Sequence, residues 1–64
     1  MLVNGRPHAW RDGLTLLALL AELEVDPRRV VVMHGAEVHR AGRIPDVPVA
    51  PGDVVEIVTM MPGG

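Results

Sequence analysis

The chain has 64 residues, 48% of them apolar and 22% charged, with a formal net charge of −2 at pH 7. That composition makes one small globular domain with a single core, too apolar for a disordered segment and too small for a self-sufficient enzyme with its own cleft and lid. Cysteine and lysine are absent and Trp10 is the only aromatic residue, which excludes a disulfide framework, a thiolate nucleophile, cysteine-ligated metal and the basic, ring-bearing face of a nucleic-acid binder.

Residues 1–4 (MLVN) read as a strand running into a bend at Gly5-Arg6-Pro7. Residues 8–11 then read as the return strand, closed by Asp12-Gly13. Thr15 is placed to cap a helix on which Leu16, Leu19, Leu20 and Leu23 recur at i, i+3, i+4 and i+7, one stripe facing a sheet. Glu22 and Glu24 fall off that stripe, and Asp26-Pro27 is expected to end the helix. The β-branched run 30–33 (VVVM) predicts a strand near the middle of the sheet, followed by a turn at Gly35-Ala36 and a brief strand around Val38. Three prolines between residues 41 and 51 predict irregular chain with at most one helical turn. Pro51-Gly52-Asp53 reads as a turn, and residues 54–60 as the last strand. The longest nearly apolar run, residues 14–21, is far short of the roughly 20 that span a bilayer. Nothing at the start reads as a cleavable leader, so a cytoplasmic chain with no membrane partner is expected.

This order predicts an α+β domain, a mixed sheet of four to five strands packed on one helix, with the first and last strands as central neighbours. A β-grasp (ubiquitin-like) domain over residues 1–60 has this order and size. Residues 61–64 are left as a mobile tail with nothing to bury.

That tail carries the chemistry. Gly63-Gly64 presents a terminal carboxylate on two residues without side chains, so a narrow channel in another protein can admit bare backbone where any Cβ would clash. The carboxylate is ionised at neutral pH and a poor electrophile. It therefore needs activation, which ATP-dependent adenylation supplies by attaching a good leaving group. Gly64 is the expected point of covalent attachment and Gly63 the residue that gives access. Pro62 stiffens the chain directly before them.

Several runs together resemble one family along essentially the whole chain: Leu2-Val3-Asn4-Gly5, Gly13-Leu14-Thr15-Leu16 opening a helix with Leu19-Leu20, Pro51-Gly52-Asp53-Val54-Val55-Glu56-Ile57-Val58, and the final Gly63-Gly64. The chain is similar to the ThiS-like bacterial sulfur carriers of thiamine biosynthesis, within the ubiquitin-like group. The resemblance implies a protein acted on by enzymes and not itself an enzyme. A ThiF-like adenylyltransferase would use ATP to adenylate the Gly64 carboxylate, with no cofactor bound by the carrier. A sulfurtransferase or cysteine desulfurase would supply sulfur for a thiocarboxylate, and a ThiG-like thiazole synthase would receive it. Carriers for molybdopterin or tRNA thiolation, ubiquitin-like protein modifiers and a non-covalent β-grasp interaction module are the alternatives.

Strand parity suggests where a partner docks. With Glu56 outward, Val55 and Ile57 point inward, while Val54, Val58 and Met60 point outward. If His34 also faces out, Val32 joins them, so Val32, Val58 and Met60 form the expected docking patch, with Arg11, Arg40 and Arg43 at its rim. Trp10 is assigned to core packing. His34, Glu37 and His39 form H-x-x-E-x-H across a turn, but a hairpin lets them diverge and no fourth ligand is suggested, so no metal is expected. Asp12 and Asp53 are turn residues bonded to local backbone.

Overall fold

The computed structural model describes residues 1–59. Its elements are β1 (Leu2–Val3), β2 (Arg6–Pro7), α1 (Leu16–Glu22), β3 (Val30–His34), β4 (Glu37–His39) and β5 (Val54–Thr59). They build one mixed sheet in the order β2-β1-β5-β3-β4. β1 runs parallel to β5, and the other neighbouring pairs are antiparallel. The first and last strands lie side by side as their apolar, proline-free sequences predict, and with one helix on one face the arrangement is a β-grasp. Among the described residues no helix is long and apolar enough to cross a membrane.

The first hairpin bends earlier than the expected Gly5-Arg6-Pro7. Asn4 and Gly5 form its two-residue loop with φ of 52° and 79°. Both central residues are left-handed, the type I′ geometry whose twist matches that of the flanking strands. Arg6–Pro7 is the return strand, and residues 8–11 lie outside any strand. Pro7 is accommodated because β2 is an edge, where a missing N–H removes no ladder bond.

The helix begins as its sequence dictates, with the Thr15 hydroxyl accepting from the Ala18 N–H at 3.3 Å. Leu16, Leu19 and Leu20 are fully buried, and Leu23 packs at the core's edge. Its end comes at Glu22, before Asp26-Pro27 is reached. Leu23 closes the helix and Glu24 turns left-handed at φ 57°. The Glu24 N–H bonds to Ala21 O at 3.1 Å and the Val25 N–H to Leu20 O at 2.9 Å. Those two bonds make a Schellman closure, completed by Val25 packing back on the core. Glutamate stands where glycine would be free of strain.

The segment 41–51 contains no helical turn. It returns to the start of the helix instead: the Leu16 N–H bonds to Val47 O and the Val49 N–H to Leu14 O, both at 2.9 Å, and Thr15 bridges Pro48. Val49 and Leu14 thereby enter the core with Val3, Val30, Val32 and Val55. Trp10 packs against this cluster and donates its indole N–H to Val49 O at 2.7 Å, the core role expected of it. Truncating one buried leucine, as in Leu19→Ala, costs about 2–5 kcal/mol. A domain of this length holds only about 3–10 kcal/mol in all, so each of these side chains carries a large share.

At the opposite end of β5, His34 Nε2 lies 2.6 Å from Asp53 Oδ2, and the same oxygen accepts the Ala50 N–H at 2.9 Å. The Ala50 N–H, with His34 second, holds the Asp53 carboxyl below the usual aspartate range. The pair ties the end of β3 to the turn that launches β5.

Two outcomes follow. Glu24→Gly relieves about 1–2 kcal/mol of left-handed strain against the added entropy of an unfolded glycine. The net gain of about 0.5–1 kcal/mol raises the melting temperature by several degrees in a thermal circular-dichroism scan. Asp53→Asn lowers stability by about 1–2 kcal/mol at neutral pH. Because the folded carboxyl titrates below the unfolded one, the wild-type advantage is complete above the unfolded value near 3.8 and shrinks as pH falls through the lower folded value. The two melting curves therefore converge between pH 5 and strongly acidic conditions.

Candidate functional site

The end of the sheet at which β5 finishes is fixed from both sides. β1 has only two residues, yet its contact with β5 continues beyond it: the Asn4 N–H donates to Val55 O at 2.9 Å, and Asn4 Oδ1 accepts the Ile57 N–H at 2.7 Å. The left-handed turn that places Asn4 there thus also lengthens the ladder by one side-chain bond. On the other side β3 pairs with β5 through the whole strand, from His34↔Val55 to Val30↔Thr59. Thr59 is the last described residue. An open groove beside it is lined by Val3, Asn4, Leu23, Val25, Ile57 and Thr59, where the helix end meets the sheet. Sequence reasoning took Asn4 for the end of a strand; the Asn-Gly pair was the signal for its turn, while its bond to Ile57, 53 residues away, has no local signature.

The expected site residues separate into three groups. Gly64, Gly63 and Met60 lie outside the described residues. Val58 is on the sheet face away from the helix and 48% exposed, as parity predicts. Val32 is not: it is fully buried and belongs to the core. The cause is register. Val32 pairs with Ile57, and directly opposed residues share a face. Ile57 packs toward the helix, so Val32 does as well, and His34 turns inward to Asp53 in company with it. The outward positions of β3 are Val31 opposite Val58 and Met33 opposite Glu56. With Leu2 opposite Val54 and Val38 opposite Met33, they make a continuous, mostly apolar face. Its exposed members are Leu2 at 39%, Val38 at 64%, Val54 at 46% and Val58 at 48%.

Arg11 does not rim that face. It pairs with Glu22 on the helix, on the other side of the sheet. Arg40 and Arg43 bound one tight turn, closed by the Arg43 N–H on Arg40 O at 2.9 Å. Of the H-x-x-E-x-H residues, His34 is engaged with Asp53, and His39 Nε2 stands 3.7 Å from Glu37 Oε2. Among the described residues no three acidic or histidine side chains gather as a metal site. Asp53 serves its turn as expected. Asp26 does similar work elsewhere, its carboxyl held low by hydrogen bonds from the Arg28 guanidinium and then the Arg28 N–H.

Comparison with known proteins bears on the whole chain. The model of the ThiS family matches residues 1–64. A sulfur carrier protein ThiS of Thermus thermophilus is 39% identical over 62 residues, 97% of this chain and 95% of that protein. A thiazole synthase of Paramagnetospirillum magneticum is 36% identical over 64 residues, all of this chain but 20% of that protein. A family match from the first residue to the last, on a β-grasp sheet whose central strand precedes Gly63-Gly64, makes the chain a member of the ThiS family.

Proposed function

We propose that the chain is a sulfur carrier for thiazole formation in thiamine biosynthesis, a substrate of enzymes with its reactive group at the Gly64 carboxylate. The observation that carries this reading is the full-length likeness to a sulfur carrier protein ThiS, joined to a last strand held on both sides as far as Thr59. A ThiF-like adenylyltransferase brings ATP. A carboxylate oxygen of Gly64 attacks the α-phosphorus and pyrophosphate leaves, giving an acyl adenylate. The outer sulfur of a persulfide on a sulfurtransferase or cysteine desulfurase then attacks the acyl carbon and AMP leaves, giving an acyl disulfide. A second thiol attacks its enzyme-side sulfur, the thiocarboxylate departs, and the two thiols are left joined as a disulfide. The folded body supplies no catalytic group to these steps. It supplies a strand paired on both sides up to Thr59, five residues before the Gly64 carboxylate, and Gly63 keeps the penultimate position free of a Cβ.

The acceptor is a ThiG-like thiazole synthase. A protein of that name that carries a segment 36% identical to this chain supports it, since a carrier held in one polypeptide with its acceptor works at high effective concentration. Docking belongs to the outward sheet face, with Val58 opposite Val31 and Val54 on the same face. It has aliphatic bulk and one central charge, Glu56, which suits a partner's apolar patch.

Intact-protein mass spectrometry after incubation with ATP, an adenylyltransferase and a sulfur source tests the chemistry. The expected mass change is that of one terminal oxygen replaced by sulfur, and it is absent when Gly64 is deleted. Gly63→Ala keeps the fold and slows adenylation at least tenfold; an unchanged rate would defeat the access argument. Val58→Glu leaves the melting temperature within a few degrees, since surface changes cost at most about 0.5 kcal/mol, and weakens adenylyltransferase binding about tenfold or more in a titration.

A further inference from the structure

The arginines are not spread evenly over the surface. β3 begins where β5 finishes, because Val30 faces Thr59, and Arg28 and Arg29 immediately precede Val30. β4 runs back along β3 toward the same end, with His39 opposite Val32, so Arg40 follows at that end too. The Gly42 N–H donates to Pro27 O at 3.0 Å and locks the turn 40–43 against the turn 26–29. Arg6 lines the groove that Thr59 also borders. Five of the six arginines therefore stand at the end of the sheet from which the chain continues to Gly64.

Acids do not cancel them. Asp26 meets Arg28 at 3.1 Å and Arg29 at 3.9 Å, and Glu24 lies between two groove residues. Counting both, that end holds a formal +3, while the remaining side chains hold −5 of a chain whose total is −2. Arg28 and Arg29 are 82% and 80% exposed, and Arg40 and Arg43 are exposed with no carboxylate in ion-pair range among the described residues. Holding such charges together on an acidic chain costs self-repulsion, and among the described residues only the Asp26 pairs with Arg28 and Arg29 offset it. Over a Debye length of about 8 Å, they act on whatever surface receives the C-terminal residues.

We infer that this arginine-bearing end is an electrostatic docking surface for an acidic protein face, set around the channel entrance of the enzyme that activates Gly64. The inference rests on the carrier reading. A protein face fits better than nucleic acid because the chain is acidic overall and has no Phe or Tyr, while its one Trp, Trp10, is packed on the core with its N–H committed to Val49 O, so the usual stacking platform for bases is missing. Charges at the rim of an interface steer encounter more than they hold the complex. The cluster therefore sets how efficiently the chain is captured, and the chemistry after capture is indifferent to it.

Steady-state adenylation by a ThiF-like adenylyltransferase, followed as pyrophosphate release, tests the inference. The Arg40→Glu/Arg43→Glu double variant raises KM about tenfold at about 50 mM salt, with kcat within about twofold, and the gap closes at about 500 mM. Arg11→Gln, which removes a cation from the helix side, leaves KM unchanged. A double variant that keeps the wild-type melting temperature and wild-type KM at low salt would overturn the inference and leave the carrier reading standing. An equal rise in KM for Arg11→Gln would also overturn it, because net charge would then explain the effect. Retention of total tRNA in a mobility shift, lost in the double variant while KM is unaltered, would assign the surface to nucleic acid instead. Failure of the wild-type chain to be adenylated at all would sink the carrier reading, and this inference with it.

Discussion

Pairing on both sides of β5 is the constraint from which the rest of the molecule follows. A strand held by a parallel neighbour on one side and an antiparallel neighbour on the other cannot slip by one residue without moving Val55 and Ile57 out of the core and Glu56 into it. The register of β3 is then fixed against it, and with it the burial of Val32 and the exposure of Val31 and Met33. The parallel contact to β1 is short, yet the Asn4 carboxamide carries it one step further to the Ile57 N–H. A small sheet thus keeps its last strand aligned as far as Thr59, the last described residue.

The two faces of this sheet have different work. One receives α1, Leu14 just before its cap and the segment 47–49, which together supply most of the core's bulk through Leu14, Leu16, Leu19, Leu20 and Val49. The other carries no helix among the described residues, so Leu2, Val38, Val54 and Val58 remain exposed around Met33 and Glu56. The ends differ as well. At the start of β5 one oxygen of the Asp53 carboxylate meets both the His34 ring and the Ala50 N–H, a compact cluster that stabilises a turn. At its finish stand exposed arginines. The sheet thus separates an apolar face from a basic end, two chemically distinct surfaces on one small ThiS-family domain.

Much of this was legible along the chain. The leucine spacing and Thr15 gave the helix and its start, because both are short-range properties of a 3.6-residue repeat and a side-chain cap. Parity gave the inward and outward residues of β5, and the apolar first and last strands gave the central pair. The errors arose where one local signal hid another. Pro7 was given the bend that Asn4-Gly5 makes, since a proline marks both turns and edge strands. Asp26-Pro27 was read as the helix stop, although a left-handed Glu24 and an apolar Val25 close it sooner. The prolines of 41–51 concealed Val47 and Val49: their spacing of two is strand-like, but Pro45, Pro48 and Pro51 leave too short a run to read as a strand.

The sequence by itself determined the elements, their order, the fold class and the Gly63-Gly64 ending, for each depends on residues near one another or on composition. Only the tertiary structure decided which face of β3 is buried. Parity within a strand leaves two choices, and the register against β5, set by contacts more than twenty residues away, selects one. In the same way six arginines scattered through the sequence became one basic end and one ion pair on the helix. Charge has no periodicity to read; its grouping comes from which turns the strands bring together.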